Sequence, residues 1–208
     1  MLYNQLMNSE PDLHKIVRGR RAIRRYQDRP VSRDIVEKLI ETALWSPSAH
    51  NRQPWRFVVL TDIDHKESLA RVMGEKLYQD RLADGDPIVD IKRDVTRSRA
   101  RISGAPVVIV MFLSMSDMDS YADARRSLAE HTMAVQSVAM AAQNLWLLAH
   151  AEGLGACWLC APLFVPDLVR DHLRLPRDWE ALGLMTLGWP AEEQSKTRRP
   201  WQEFVRFY

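Results

Sequence analysis

Cysteine is nearly absent from this 208-residue chain: there are two, Cys157 and Cys160, in a single C-x-x-C. That excludes a fold stapled by disulfides, and without a second pair it supplies at most half of a four-cysteine zinc site. The surrounding run, Ala156-Cys157-Trp158-Leu159-Cys160-Ala161, is apolar, so the pair reads as two buried, reduced thiols and no metal site is expected. An excess of either charge is also missing. The 29 Lys and Arg against 27 Asp and Glu leave a net +2, without the strongly basic balance of a dedicated nucleic-acid binder. No apolar run is long enough for a membrane. The longest, residues 133–151, is broken by Gln136, Gln143, Asn144 and His150, too polar for an easy span. The start, Met1-Leu2-Tyr3-Asn4-Gln5, lacks the basic-then-apolar order of a signal peptide, so a cytoplasmic, soluble protein is expected. Neither G-x-G-x-x-G after a strand nor G-x-x-x-x-G-K-[ST] occurs, so the two usual nucleotide fingerprints are absent. There is no repeat, low-complexity tract or linker. One domain over residues 1–208 is expected, and 46% hydrophobic residues suffice for its core.

What is present alternates between helical and extended patterns. Ile35, Val36, Leu39, Ile40, Ala43 and Leu44 form a helical stripe, with Ser32 placed to cap its start and Pro47 beyond its end. Phe57–Leu60 reads as a buried strand, and residues 66–81 as a helix. Ala83–Pro87 breaks the chain. Residues 90–102 read as a charged helix on a mobile or surface segment. Residues 106–113 (Pro-Val-Val-Ile-Val-Met-Phe-Leu) give the strongest strand signal. Residues 126–152 predict one long helix, apolar enough for the middle of a domain, closed by Gly153 and Gly155. A strand from Cys157, a short helix over residues 166–173 and a central strand over 182–187 follow. Helices and strands mix without a regular βαβ rhythm, which favours an α+β sandwich over a doubly wound sheet. The final Phe204-Val205-Arg206-Phe207-Tyr208 is apolar yet terminal, so it needs something to pack on, such as a partner subunit.

Basic residues crowd both ends. His14, Lys15, Arg18, Arg20, Arg21, Arg24 and Arg25 lie near the start, and Lys196, Arg198 and Arg199 near the end. Solvated surface is one reading; the other is that the two ends meet around one phosphate, which Arg serves with a planar fork of donors. If residues 20–24 are helical, Arg20 and Arg24 share a face. Between these clusters lie Ser46-Pro47-Ser48-Ala49-His50-Asn51-Arg52-Gln53-Pro54-Trp55 and Gly153-Leu154-Gly155-Ala156-Cys157-Trp158. No nucleophile–base pair stands out. Of the histidines, His50 is the better candidate for a substrate contact, and His131 beside Glu130 is the other considered.

In this order the four segments resemble the flavin mononucleotide (FMN) dependent nitroreductase family, over roughly residues 15–200. Arg20-Arg21-Ala22-Ile23-Arg24 followed by Tyr26 is similar to its Arg-Arg-Ser-x-Arg start, with Ala22 in place of Ser. Residues 46–55 match its Ser-Pro-Ser-x-x-Asn-x-Gln-Pro-Trp loop. The resemblance implies a three-layer α-β-α sandwich with a mainly antiparallel sheet, and a homodimer with FMN at the interface. It places Arg20, Lys196 and Arg198 on the phosphate, Arg21 on phosphate or ribityl, Ala22 beside them through its backbone, and Arg24 at the N1/O2 edge. It places Pro47, Ser48 and Asn51 by the flavin, and Cys160 and Ala161 near N5. The chemistry then falls to FMN, with no catalytic side chain.

The implied activity is two-electron transfer from NAD(P)H, or a similar donor, to a small-molecule acceptor such as a nitroaromatic or quinone. One shared face makes it ping-pong. Tyr121–Arg126, Ala129–Met133 and Leu173–Gly183 are similar to the FMN-binding C-terminal domain of actinobacterial gamma-glutamyl ligases that mature a deazaflavin coenzyme. Only about a dozen residues precede the flavin motif, so the ligase domain and ligation are not expected. The alternatives are a flavin- or deazaflavin-binding module, a reductase of a deazaflavin-coenzyme precursor, or fragmentation of a flavin to a benzimidazole. Substrate selection is expected to fall to residues 74–101.

Overall fold

The computed structural model of the protein describes residues 13–208. The opening pentapeptide read for a signal peptide lies outside these residues, as does the beginning of the 1–208 domain. Helices α1 (Leu13–Gly19), α2 (Arg33–Ala43), α3 (Ile63–Ala83), α4 (Ile88–Ser103), α5 (Ala124–Ala151) and α6 (Pro166–His172) surround strands β1 (Trp55–Leu60), β2 (Val107–Ser114), β3 (Gly155–Leu159) and β4 (Trp179–Gly188). The strands form one antiparallel sheet in the order β1-β2-β4-β3.

The three layers follow from the two-residue period of strand side chains. All eight residues of β2 are buried. Val107, Ile109, Met111 and Leu113 meet α2 and α5 through Leu39, Val138, Ala141 and Leu145. Val108, Val110 and Phe112 meet α3, α4 and α6 through Leu69, Ile102 and Val169. A strand covered on both faces has no polar side, which is why its sequence is one apolar run. The α-β-α sandwich expected from the sequence is the fold observed. β4, expected as central, runs between β2 and β3.

Ser32 caps α2, its Oγ accepting the Ile35 N–H at 3.4 Å. Asp123 caps α5 through the Arg126 N–H. α5 ends at Ala151, two residues before Gly153, whose φ of 78° is the left-handed conformation that stops a helix without steric cost. The charged α4 is anchored: Ile91 and Ile102 are buried, and Arg81 of α3 bridges Asp86 and Asp94 at 2.6 Å each.

Two expectations need correction. Phe57–Leu60 belongs to an edge strand, where Phe57 and Val58 are only half-buried and Val59 is exposed, because only one side of β1 has a strand partner. The two cysteines differ: Cys157 is buried on β3, whereas Cys160 lies past the strand end and is exposed. The Trp158 indole N–H approaches its sulfur at 3.1 Å. Among the described residues no helix is long and apolar enough to cross a membrane, and no cluster of His, Cys, Asp and Glu could hold a metal.

Candidate functional site

The arginine-rich start is extended, not helical. α1 stops at Gly19, where a Cβ would approach His150 Nε2 to 2.9 Å. The chain then runs beside β3: Ala22 bridges Ala156 in parallel, and the Ile23 N–H donates to the Ala156 carbonyl at 3.0 Å. Gly155 permits this approach, since a Cβ there would meet Ile23 at 2.7 Å. Arg20 and Arg24 therefore do not share a helical face. They are fixed by a sheet edge, with the Arg24 N–H donating to Glu192 at 2.7 Å and Tyr26 Oη donating to the Ile23 carbonyl at 2.7 Å.

Arg20 lies over the Trp146 ring, 4.1 Å from guanidinium carbon to centroid. Partial burial, followed by the charges of Arg198 and then Arg21, destabilises its protonated form. Arg198 is thus close enough for its charge to be felt at Arg20, so cations from the two ends of the sequence converge. Lys196 and Arg198 themselves are exposed in irregular chain, and among the described residues Arg198 hydrogen-bonds only the Thr197 carbonyl, at 3.1 Å.

Beside this convergence lies a cavity of about 330 Å³, lined by Arg21, Ile23, Trp146, His150, Gly155 and Gln194 among others. Arg21 spends Nη1 on the carbonyls of Arg18 and Arg20. Its Nε and the Trp146 Nε1 are buried and unpartnered. An unpaired buried donor costs about 1–3 kcal/mol, so two of them on residues that line one cavity, beside an arginine pair, suit an acceptor-rich anion. Burial lowers the His150 pKa, helped by Arg20 and Arg21, as expected for a histidine in a cationic field.

Farther along, Arg101 at the end of α4 is destabilised as a cation by burial and then by Arg24. Buried Cys157 has its thiol pKa raised by burial, opposed by Arg24 and Arg101. Arg101 and Trp146 were passed over in sequence. Arg101 falls at the end of the 74–101 stretch, where no motif marks it, and Trp146 looks like one more apolar residue of a long helix.

The loop between α2 and β1 places Pro47, His50 and Asn51 at the surface and Ser48 half-buried. His50, Asn51 and Gln53 all have positive φ, 50°, 53° and 52°, a conformation that costs an L-residue roughly 1–2 kcal/mol, least for Asn. Such strain persists only where surroundings impose it. Among the described residues, no hydrogen bond or ion pair links this loop to Arg20–Arg25 of the same chain. His131, the other histidine considered, is engaged with Glu180 at 2.8 Å. Ala161 opens a short 3-10 turn (Ala161–Phe164) directly after Cys160.

A sandwich with a β1-β2-β4-β3 sheet and a terminal arginine segment docked on its β3 edge defines the class. The family model "Nitroreductase family" matches residues 17–189. The chain belongs to the nitroreductase family, and with it to the flavin oxidoreductases. It is 28% identical over 197 residues to the 5,6-dimethylbenzimidazole synthase of Rhodospirillum rubrum, covering 87% of this chain and 83% of that one. It is 29% identical over 204 residues to an NADH dehydrogenase of Thermus thermophilus, covering 86% and 87%. Among solved structures, a candidate nitroreductase from Desulfovibrio desulfuricans in complex with FMN superposes with a TM-score of 0.75 at 29% identity, over 96% of this chain and 98% of that one.

Proposed function

We propose that this protein is an FMN-dependent oxidoreductase that passes two electrons from NAD(P)H to an oxidised organic acceptor such as a nitroaromatic or a quinone. The observation that carries the reading is the convergence of Arg20 and Arg198 beside two buried, unpaired N–H donors. Bound FMN supplies the redox chemistry, accepting electrons from a donor and releasing them to an acceptor at one face of its ring. The chain's own residues bind and tune. Arg20, Lys196 and Arg198 neutralise the phosphate, with Arg21 beside them and Ala22 offering backbone. Arg24, backed by Arg101, sets positive charge where the ring becomes electron-rich, which favours the reduced form. Pro47, Ser48 and Asn51 come against the flavin, as do Cys160 and Ala161.

The same reading makes the protein a homodimer with the flavin between subunits. The tail supports this: Trp201, Phe204, Phe207 and Tyr208 are exposed, more aromatic surface in eight residues than a monomer leaves in water without use.

The test is direct. Protein purified with added FMN should be yellow, bleach on anaerobic NADH or NADPH, recolour on addition of menadione or a nitroaromatic, and run as a dimer in light scattering. A colourless protein that rejects FMN sinks the reading. Similarity to the R. rubrum synthase favours a second one, oxidative fragmentation of reduced flavin. Chromatography for 5,6-dimethylbenzimidazole after aerobic incubation separates the two.

A further inference from the structure

Helix α5 carries three polar residues seven apart, Glu130, Ser137 and Asn144, among other polar positions such as Gln136 and Gln143. Seven residues are nearly two helical turns, so the three stand in one row with a rise of about 10.5 Å between neighbours. Glu130 and Ser137 are each 1% exposed. Polar groups at that depth are costly unless they are used; Asn144 and Ser137 bond the loop between α2 and β1 directly, while Glu130 reaches it through Asp119 with one carboxylate oxygen and leaves the other, Oε2, buried and unpartnered. Asn144 Nδ2 donates to Ser46 Oγ at 2.7 Å. Ser137 Oγ accepts the Ala49 N–H at 3.2 Å while donating to the Met133 carbonyl at 2.7 Å. Glu130 Oε1 accepts the Asp119 N–H at 3.1 Å, and the Asp119 carboxylate takes the Arg52 guanidinium at 2.7 Å.

The loop is thus met directly at residues 46 and 49 by Asn144 and Ser137, and at residue 52 by Asp119, which Glu130 holds through its backbone N–H, as the row descends α5 from 144 to 137 to 130. Between and beside those anchors lie the left-handed residues His50, Asn51 and Gln53. The Gln53 N–H closes the loop onto Ser48 Oγ at 3.1 Å. Three left-handed residues within four positions, none of them glycine and separated only by Arg52, do not hold themselves; the anchors offset their cost.

We infer that Glu130, Ser137 and Asn144 are positioning residues: a polar row on the central helix that holds the strained loop in its flavin-contacting shape. The inference rests on the FMN reading for the loop's purpose, but its geometry stands without it.

The experiment uses full-length protein, with Ser137→Ala, Ser137→Thr and the surface variant Asp119→Asn. Amide hydrogen exchange over residues 47–53 is measured without flavin, and affinities for FMN and riboflavin by fluorescence titration. Ser137→Ala should speed exchange in the loop. It should weaken FMN and riboflavin alike by about tenfold, as expected from one lost anchoring hydrogen bond, because the loop serves the ring and not the phosphate. It should also alter the visible circular dichroism of bound flavin. Ser137→Thr should restore all three, and Asp119→Asn, which keeps the backbone link to Glu130, should give a smaller change in the same direction. Unchanged loop exchange in both Ser137→Ala and Asp119→Asn overturns the inference. Faster exchange with unchanged flavin affinity and spectrum severs the loop from the flavin while leaving the row intact. Failure of the wild-type protein to bind any flavin rejects the FMN reading, separately from the exchange result.

Discussion

Two arginine-bearing segments whose charges are felt together at Arg20 are built in opposite ways. Residues 20–26 are bound into the sheet: Ile23 to Ala156, Arg24 to Glu192, Tyr26 to Thr186. Residues 196–200 have almost nothing of the kind. Among the described residues Arg198 hydrogen-bonds only the neighbouring Thr197 carbonyl, Arg199 pairs with nearby Glu203, and residues 201–208 are exposed. The first arm is held by these bonds; on the FMN reading the second, exposed and irregular, would be held chiefly by what it binds, and fixing a segment on binding costs free energy that subtracts from affinity. Equal charges on the two arms should therefore contribute unequally.

The largest effect tests the fixed arm. Arg20→Ala should weaken FMN by about 100-fold, the scale of a lost charge-assisted contact, and leave riboflavin, which lacks the phosphate, within a few-fold. Arg198→Ala should cost nearer tenfold, and its deficit should shrink as salt screens an exposed charge. Equal losses for the two, measured at two ionic strengths, would break the comparison. Trp146→Phe sharpens it further. The ring face under Arg20 survives while the indole N–H is removed, so FMN affinity should drop about fivefold, worth one neutral hydrogen bond, with riboflavin unaffected. An unchanged ratio of the two affinities would mean that the indole donor plays no part.

The smallest effect is in pH. The folded-state pKa of His150 lies below its ordinary value of 6.5. The unfolded chain then binds the extra proton first, so stability contributed by neutral His150 is complete above pH 6.5 and declines as pH falls below it. His172 has the same sign, from burial and Arg71. Melting temperatures from pH 8 to 5 should therefore fall in the wild type and fall less in His150→Gln, the remaining slope including His172. Saturating inorganic phosphate should flatten the wild-type slope, because an anion beside Arg20 and Arg21 relieves the field on His150.

The fold was largely legible in sequence because its signals are local. The uninterrupted 107–113 run, the capped stripe from Arg33 and the long apolar helix before Gly153 each carry their own period. Phe57–Leu60 misled because four apolar residues do not say whether one neighbouring strand or two will cover them. Cys160 misled because full burial ends at Cys157 and β3 itself ends at Leu159, and no residue type marks that edge. The site was legible as motifs but not as geometry. Arg20–Arg24 carries helix-compatible residues, and only the open edge of β3 draws it into an extended path. Arg101 gave no signal, since one arginine in a basic helix is distinguished only by what α4 packs beside.

The order of residues along the chain thus settled the family, the alternation of helix and strand, and which cations were available, because those follow from residue type and spacing over short stretches. Packing alone decided that the charge of Arg198 is felt at Arg20, that Arg21 and Trp146 line one cavity, and that a row on the central helix holds a loop some ninety residues away in the chain. The reason is that charge fields and burial act through space, and sequence separation does not report distance until the core has closed.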